Sequence, residues 1–345
     1  MKKKITIFGS TGSIGDSTLD LVKNHPEKYE IVGLSINNNY KKLLKQVSSF
    51  KPKIVSINNT ESFKKFKEIN SNDNLKIVNG NDCYDEILDY ETDMVVAAIT
   101  GSAGLMPVIK AAKKGISIAL ANKESLVCSG SLITSVAKQN GSIILPVDSE
   151  HNAIFQVLDS KNRSKVSKLI LTASGGPFLN KETKDLVDIT PEQAVKHPNW
   201  SMGKKISVDS CTMMNKVFEV IEAKKIFSLT YDKISIIIHP KSYVHAIIIF
   251  NQGMIKLLSH DTTMEIPVAN TLGRLIKKNN LDYCKNELNL NNLNSLELSK
   301  IKVNKFPLIK ILNKLPKKDS LFETLLVTAN DEFVNLFLKK KNFIY

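Results

Sequence analysis

Asp148 and Glu150 stand two residues apart in Pro146-Val147-Asp148-Ser149-Glu150-His151-Asn152, at the end of an apolar run that reads as a strand. Strand alternation would point both carboxylates to the same side. A third acid, Glu219, lies in a helical stretch whose one face is unusually polar. Three carboxylates converging on one place repel unless a cation binds them, and an all-oxygen donor set suits Mg²⁺ or Mn²⁺. On the same helix Asn215 precedes Glu219 by four residues and Lys216 by three, so their side chains share one surface, with Ser210 and Thr212 at the helix start. Hydroxyls, an amide and an ammonium near a helix N-terminus are suited to a phosphate. The plainer alternative is ordinary capping plus a surface ion pair, which would contribute about 0.5 kcal/mol or less.

A second constellation opens the chain. Gly9-x-x-Gly12-x-x-Gly15 follows the short apolar run Ile5 to Phe8 and leads into Leu19, Leu21 and Val22 at helical spacing. In a strand, glycine turn and helix the backbone can approach a pyrophosphate, whose charge is favoured at the helix N-terminus. The spacing differs from the commoner G-x-G-x-x-G, and a glycine turn here is often only structural. Two further loops, Thr172 to Phe178 and His197 to Gly203, are marked by glycine and proline. The second holds Trp200, the chain's single tryptophan, placed to close over a ligand or else simply to pack. His197 in the same loop is equally open.

These residues need a scaffold, and 345 residues exceed what one core usually organises. The runs Ile5 to Phe8, Ile31 to Leu34, Ile54 to Ile57, Met94 to Ile99, Ile116 to Leu120 and Ile143 to Val147 alternate with polar-faced helices, which predicts a parallel sheet wrapped by helices. Beyond about residue 150 the strand-like runs 168–172, 234–238 and 244–250 and a helix over 212–227 predict an α+β segment. The expected class is therefore α/β: a Rossmann-like doubly wound parallel sheet over 1–149, a central α+β catalytic domain over 150–280, a linker over 281–318 and a short C-terminal helical region over 319–345, with its helix near Leu321 to Leu338.

With 42% hydrophobic and 24% charged residues the chain has enough apolar surface to fold, and large-scale disorder is not expected. A formal charge of +14 raises nucleic acid as a partner, but the lysines are scattered, with no interleaved aromatic platform, so a solvated Lys- and Asn-rich surface is preferred. Cys83, Cys128, Cys211 and Cys284 are widely separated and show no paired metal spacing, which fits a reducing cytoplasm. The apolar run after Lys2 to Lys4 breaks at Gly9, too early for a signal peptide, and no later run has membrane-spanning length.

The motif set as a whole resembles the 1-deoxy-D-xylulose 5-phosphate reductoisomerase family. The matching segments are Gly9 to Gly15, Ala121-Asn-Lys-Glu-Ser-Leu126, Pro146 to Gln156, Ser174-Gly-Gly-Pro177 and the run from His197 to Glu219, with weaker similarity from Lys4 to about Leu338. The resemblance implies that Asp148, Glu150 and Glu219 hold the divalent metal, Mg²⁺ or Mn²⁺ or Co²⁺ in their place. It implies that Ser174, Ser210, Asn215 and Lys216 hold the substrate phosphate, that Lys123, Ser149 and His197 contact its other polar groups, and that Lys123 and His197 act in catalysis beside the three acids. Thr11, Gly12, Ser13, Ile14, Asn122, Glu124 and Gly203, with Asn37, Asn38 and Asn39, would line the NADPH site, and Trp200 with Met202 would belong to a mobile flap. The implied reaction is a retro-aldol and aldol rearrangement of a sugar phosphate followed by hydride transfer, in a cytoplasmic homodimer.

Two departures stand out. Ser35-Ile36-Asn37-Asn38-Asn39 lacks the lysine or arginine that family members often carry for the 2′-phosphate, leaving Lys41 or Lys42 to compensate, and the C-terminal region looks abbreviated. Two rivals are a semialdehyde dehydrogenase-like enzyme, which would use Cys211 as its nucleophile, and a basic RNA-binding protein on an enzyme scaffold.

Overall fold

The computed structural model describes residues 1–80, 82–158, 160–200, 202–276, 290–318 and 320–341; Ser201, Cys284 and the 281–289 part of the expected linker lie outside them. The strands are β1 (Lys3–Phe8), β2 (Tyr29–Ile36), β3 (Ile54–Ile57), β4 (Lys76–Val78), β5 (Met94–Ala97), β6 (Ser117–Leu120), β7 (Ile144–Pro146), β8 (Val166–Ala173), β9 (Ile234–Ile238), β10 (Val244–Phe250) and β11 (Ile255–Ser259). The helices are α1 (Ser13–Asn24), α2 (Tyr40–Phe50), α3 (Thr60–Ile69), α4 (Cys83–Leu88), α5 (Leu105–Lys113), α6 (Lys123–Asn140), α7 (Ser149–Val157), α8 (Pro191–Ala194), α9 (Lys204–Cys211), α10 (Met214–Phe227), α11 (Glu265–Gly273), α12 (Leu290–Asn294) and α13 (Phe322–Leu338). They form two compact units.

The first unit takes residues Met1–Ser125 and Leu132–Val147 and resumes at Met264 with α11. Its seven strands are all parallel, in the order β4-β3-β2-β1-β5-β6-β7. Ile5, Ile7, Ile54, Val55, Val95, Val96 and Ile118 are buried, as strands covered on both faces must be, and this is why they read as unbroken apolar runs rather than alternating ones. The strand order reverses about β1, whose Phe8 pairs with Ser35 on one side and Ala97 on the other. The glycine turn thus leaves the carboxyl edge of the sheet at the switch point, where such folds bind ligands. The helix α11, which its place in the sequence groups with the 150–280 segment, packs instead on α1 and β6, and Thr271 donates to the Pro146 carbonyl at 3.4 Å.

The second unit takes Leu126–Ser131, Asp148–Thr263 and the described residues from Leu290 onward. A four-stranded sheet in the order β11-β10-β8-β9 carries α7 and α10 on it, with Ala153, Ile154, Leu171, Val220, Ala223, Phe227 and Ile248 in the shared core. The other side of α10 presents Val217, Phe218 and Ile221 to Val127, Leu315 and Val327, so this helix is buried all round. The described part of the expected linker is packed rather than loose: Phe306 and Leu315 are buried, Ile238 bridges Ser299, and Pro307–Lys314 forms a 3₁₀ segment against α10.

β7 ends at Pro146, and Asp148 is the N-cap of α7, so Asp148 and Glu150 are brought together by a strand-to-helix turn and not by strand alternation. The helix expected over 212–227 begins at Met214, because Met213 adopts a left-handed conformation (φ 65°) that ends α9 and restarts the chain as α10. Ser210 and Thr212 consequently close α9 instead of opening α10.

Gly15 and Gly141 show how differently two glycines are constrained. A Cβ on Gly15 would stand 2.3 Å from the Ser10 carbonyl oxygen, whereas Gly141, left-handed at φ 71° after α6, has nothing within 4 Å. Gly15→Ala is expected to lower stability by about 3 kcal/mol through overpacking, and Gly141→Ala by about 1 kcal/mol through backbone strain alone. Urea denaturation of both variants checks the order; equal losses would show that the α1 turn relaxes freely.

Candidate active site

Glu219, with none of its surface exposed, lies mid-way along α10. A buried carboxylate is costly unless paired and hydrogen-bonded, and helical spacing supplies the partners: Asn215 Nδ2 donates to Oε1 at 2.5 Å and Lys216 Nζ to Oε2 at 2.6 Å. Lys216, itself buried, also donates to Glu150 Oε1, and Ser149 Oγ donates to the other Glu150 oxygen at 2.6 Å. The Lys216–Glu219 pair is therefore an interior contact and not the surface ion pair weighed from the sequence.

Carboxylate oxygens of Asp148, Glu150 and Glu219 all lie within 4.8 Å of one another. At such separations each like-charged pair repels by about 3–4 kcal/mol for an effective dielectric near 20. One ammonium leaves this triad net negative, so a divalent cation with a preference for oxygen fits the donor set. Asp148, His151 and Glu222 form a second grouping of similar size. Its imidazole is a poor metal ligand, because both nitrogens are engaged: Nε2 donates to the Glu219 carbonyl oxygen at 3.0 Å and Nδ1 to Asp148 Oδ1 at 3.2 Å. With both nitrogens protonated this ring is an imidazolium. Burial opposes that charge, but Glu222, the Asp148 hydrogen bond and the charges of Asp148 and Glu219 outweigh it and push the His151 pKa up to about 9. His151 and Glu222 were not singled out from the sequence; the three-residue step from Asp148 to His151 in a first helical turn was the available signal.

Ser174 sits on the loop after β8. A Cβ on Gly176, left-handed at φ 67°, would come 2.8 Å from the Cys211 Cα and 3.1 Å from the Ser210 carbonyl, so only glycine lets this loop lie against the end of α9. Ser174 Oγ accepts from the Gly176 N–H at 3.2 Å and pairs with His197 Nε2 at 3.0 Å. The tautomer of His197 follows from its other nitrogen: Nδ1 accepts from the backbone N–H groups of Asn199 (3.2 Å) and Trp200 (3.1 Å), so Nε2 bears the proton and donates to Ser174. Burial and the charge of Lys216 lower the His197 pKa to about 4, keeping the ring neutral. Asn199 in turn donates to the Pro240 carbonyl at 2.5 Å, tying the His197–Gly203 loop to the turn before β10.

Within the first unit, Thr11 to Ile14 form the turn into α1, whose N-cap Gly12 provides no side-chain cap, leaving first-turn N–H groups directed at the turn. Lys42 Nζ reaches this turn, donating to the Thr11 carbonyl at 3.0 Å and to Asp16 at 2.5 Å. Asn37 to Asn39 are exposed after β2, and Asn39 caps α2. Asn122 caps α6, and its amide also donates to the carbonyls of Ile99 and Gly101, so the side chain shapes the 99–101 loop; Lys123 and Glu124 follow it, both buried. Gly203, expected with the cofactor residues, is the N-cap of α9 and belongs to the second unit. Cys211 is not a nucleophile: it is fully buried, donates to the Val208 carbonyl at 3.0 Å, and burial raises its pKa strongly.

Family models described as 1-deoxy-D-xylulose 5-phosphate reductoisomerase, its C-terminal domain and the DXP reductoisomerase C-terminal domain match residues 5–130, 144–227 and 260–344. The curated 1-deoxy-D-xylulose 5-phosphate reductoisomerase of Pelagibacter ubique is 47% identical, covering 98% of this chain and 87% of its own length. That of Clostridium perfringens is 41% identical, over 98% and 88% of the two chains. Among solved structures, DOX-P reductoisomerase in complex with NADPH, fosmidomycin and magnesium superposes with a TM-score of 0.92 at 37% identity, covering 99% of this chain and 86% of that one. The Zymomonas mobilis enzyme in complex with NADPH gives 0.90 at 34% identity, covering 100% and 89%.

The two histidines set opposite pH limits on stability. His151, raised to about 9 from an ordinary 6.5, contributes stability that is full below about 6.5 and lost as pH rises through 9; His197, lowered to about 4, contributes stability present above 6.5 and lost as pH falls through 4. In EDTA the melting temperature should therefore peak near pH 6.5 to 7. His151→Gln should abolish the decline on the alkaline side, and a wild-type protein equally stable at pH 7 and 9 would contradict the charged state assigned to His151.

Proposed function

The chain belongs to the 1-deoxy-D-xylulose 5-phosphate reductoisomerase family, and on that premise we propose that the acid-and-lysine site of the second unit is where 1-deoxy-D-xylulose 5-phosphate is rearranged and reduced. The product is 2-C-methyl-D-erythritol 4-phosphate, a precursor in non-mevalonate isoprenoid synthesis, and the reaction needs NADPH and a divalent metal. The observation that carries this reading is the mutual approach of the Asp148, Glu150 and Glu219 oxygens within 4.8 Å beside a buried lysine.

Asp148, Glu150 and Glu219 hold Mg²⁺ or Mn²⁺. When bound, the metal supplies Lewis-acid polarisation of the substrate's ketone and neighbouring hydroxyl, and NADPH supplies the hydride. The protein's own part is positioning. Ser149 orients Glu150 through its 2.6 Å hydrogen bond, and His151 orients Asp148. Ser174 Oγ already accepts from Gly176 and His197, so its own hydrogen is directed outward, where it can donate to a phosphate oxygen. Ser210, on the helix end against which that loop packs, and Asn215 and Lys216 complete the phosphate cradle, giving the non-reacting end of the substrate a binding energy that holds the reacting end in place. His197 remains a neutral donor across the physiological range.

The uncapped start of α1 with Thr11, Gly12, Ser13 and Ile14 takes the pyrophosphate of NADPH, Asn37 to Asn39 border the adenosine end, and Asn122 and Glu124 line the remainder. Lys42 supplies the cation that the Asn37-Asn38-Asn39 run lacks. The same reading takes the active form to be a cytoplasmic homodimer; the exposed apolar Met254, Ile255 and Leu257 at edge strand β11 support self-association. No described helix is long and apolar enough to cross a membrane.

Purified protein with 1-deoxy-D-xylulose 5-phosphate is expected to oxidise NADPH only when Mg²⁺ or Mn²⁺ is present. Glu219→Gln should lower kcat by about a hundredfold or more, and should also abolish the stabilisation on adding Mn²⁺, which in the wild type amounts to about 2.7 kcal/mol at a free ion concentration a hundred times Kd. Oxidation that persists in EDTA, or an undiminished Mn²⁺ effect in the variant, would remove these acids from the metal site.

Cofactor choice is tested separately. Lys42→Ala should raise KM for NADPH about tenfold while leaving that for NADH nearly unchanged. An equal change for both would mean that Lys42 only braces the glycine turn through Thr11 and Asp16.

A further inference from the structure

His260, just beyond β11, belongs to none of the roles above, yet it makes the closest ring stack recorded among the described residues. Its imidazole lies on that of His245 with centroids 3.7 Å apart and planes 15° from parallel. His245, buried on β10, donates from Nε2 to the carbonyl oxygen of His260 at 3.1 Å, so backbone and ring of the same residue both hold it. His260 donates from Nδ1 to the Asp261 carbonyl at 2.7 Å, which leaves Nε2 as a bare acceptor; that atom is buried and has no hydrogen-bond partner among the described residues. An unsatisfied buried acceptor costs stability and calls for a reason other than packing.

The stack has a second neighbour. Trp200 meets His245 edge-on, with centroids 6.3 Å apart at 69°. The N–H of Trp200 also donates to His197 Nδ1, and His197 Nε2 donates to Ser174. A continuous line of contacts therefore runs from His260 through His245 and Trp200 to the His197–Ser174 pair. Burial and the neighbouring His260 both disfavour a charge on His245, and Lys216 adds to this, so two neutral rings stack without repulsion.

We infer that His260 is a positioning residue: by stacking on His245 it fixes the ring plane against which Trp200 docks, and so fixes the His197–Ser174 pair for the substrate phosphate. The last clause rests on the function proposed above; the docking of Trp200 does not. Because Trp200 is the single tryptophan of the chain, its emission reports this contact without any ligand.

The test compares wild type, His260→Ala and His260→Phe as full-length holoenzymes and, for fluorescence, without ligands. His260→Ala should shift the Trp200 emission to longer wavelength, raise its acrylamide quenching about twofold, and raise KM for 1-deoxy-D-xylulose 5-phosphate about tenfold with kcat within about twofold. His260→Phe, which keeps an aromatic face and removes the buried lone pair, should resemble wild type in all three and melt no lower. Should His260→Ala fail to fold, the phenylalanine variant alone still decides. Unchanged emission and KM in His260→Ala, a fall in kcat without a rise in KM, or a His260→Phe that behaves like alanine would each overturn the proposal. Wild-type protein inactive on this substrate would instead sink the functional reading, while the emission data would still decide whether His260 holds Trp200.

Discussion

The second unit is organised around the problem of keeping the Glu219 carboxylate charged in the interior. Glu219 lies on a helix with apolar neighbours on both sides, Val220 and Ala223 towards the sheet and Val217, Phe218 and Ile221 away from it. Isolated there, a carboxylate would lose its hydration with nothing to replace it. Its partners are instead drawn from three and four positions earlier on the same helix, Lys216 and Asn215, while His151 on α7 holds the Glu219 backbone carbonyl. Removing one member of such a group leaves another charge uncompensated, so the group has to be kept whole.

That requirement explains the break between α9 and α10. A continuous helix from Lys204 to Phe227 would carry Ser210 and Lys216 on a single advancing spiral. The left-handed Met213 interrupts it, the Met213 N–H bonding back to Ser210 and the Met214 N–H to the Thr212 hydroxyl. A non-glycine residue at positive φ is uncommon and costs free energy. Here it lets the end of α9 face the Ser174–Gly176 loop while α10 starts afresh with Asn215 and Lys216 in its first turn. The C-terminal helix secures the arrangement from outside: Asn330 on α13 donates to Asp209 at 2.8 Å, and Lys205 lies between Asp209 and Asp331.

Much of this was legible in the amino-acid sequence, and the exceptions share a cause. The parallel sheet could be read because buried strands leave unbroken β-branched runs, and the acids and Lys216 because helical spacing is local. The geometry around Asp148 was misread because a strand end and a helix N-cap are both compatible with the same short polar segment, and the difference lies in where β7 stops pairing with β6. The break at Met213 could not be read because methionine carries no turn signal; its conformation is imposed by tertiary packing. α11 was assigned to the wrong segment for the same reason, since nothing in Glu265 to Gly273 states which sheet it will cover. His245 and His260 escaped notice because each is an isolated histidine fifteen positions from the other, and only the β10–β11 pairing makes them neighbours.

The histidines of this unit show that residue type does not settle charge. His151 is buried and His197 half-buried, and both begin from the same ordinary pKa, yet one is driven up to about 9 and the other down to about 4. What separates them is the sign of the nearest fixed charges: Glu222, Asp148 and Glu219 surround His151, whereas His197 has only burial and Lys216 to respond to. The site consequently has a polarity, with three carboxylates gathered about Lys216 at one end and the neutral, hydrogen-bonded His197–Ser174 pair at the other. A sugar phosphate has that same polarity, with chelating oxygens at one end and a dianion at the other. Under the function proposed above, a substrate bound in reverse would set its phosphate against the carboxylates, so like-charge repulsion opposes that direction before any contact with the carbon skeleton is made.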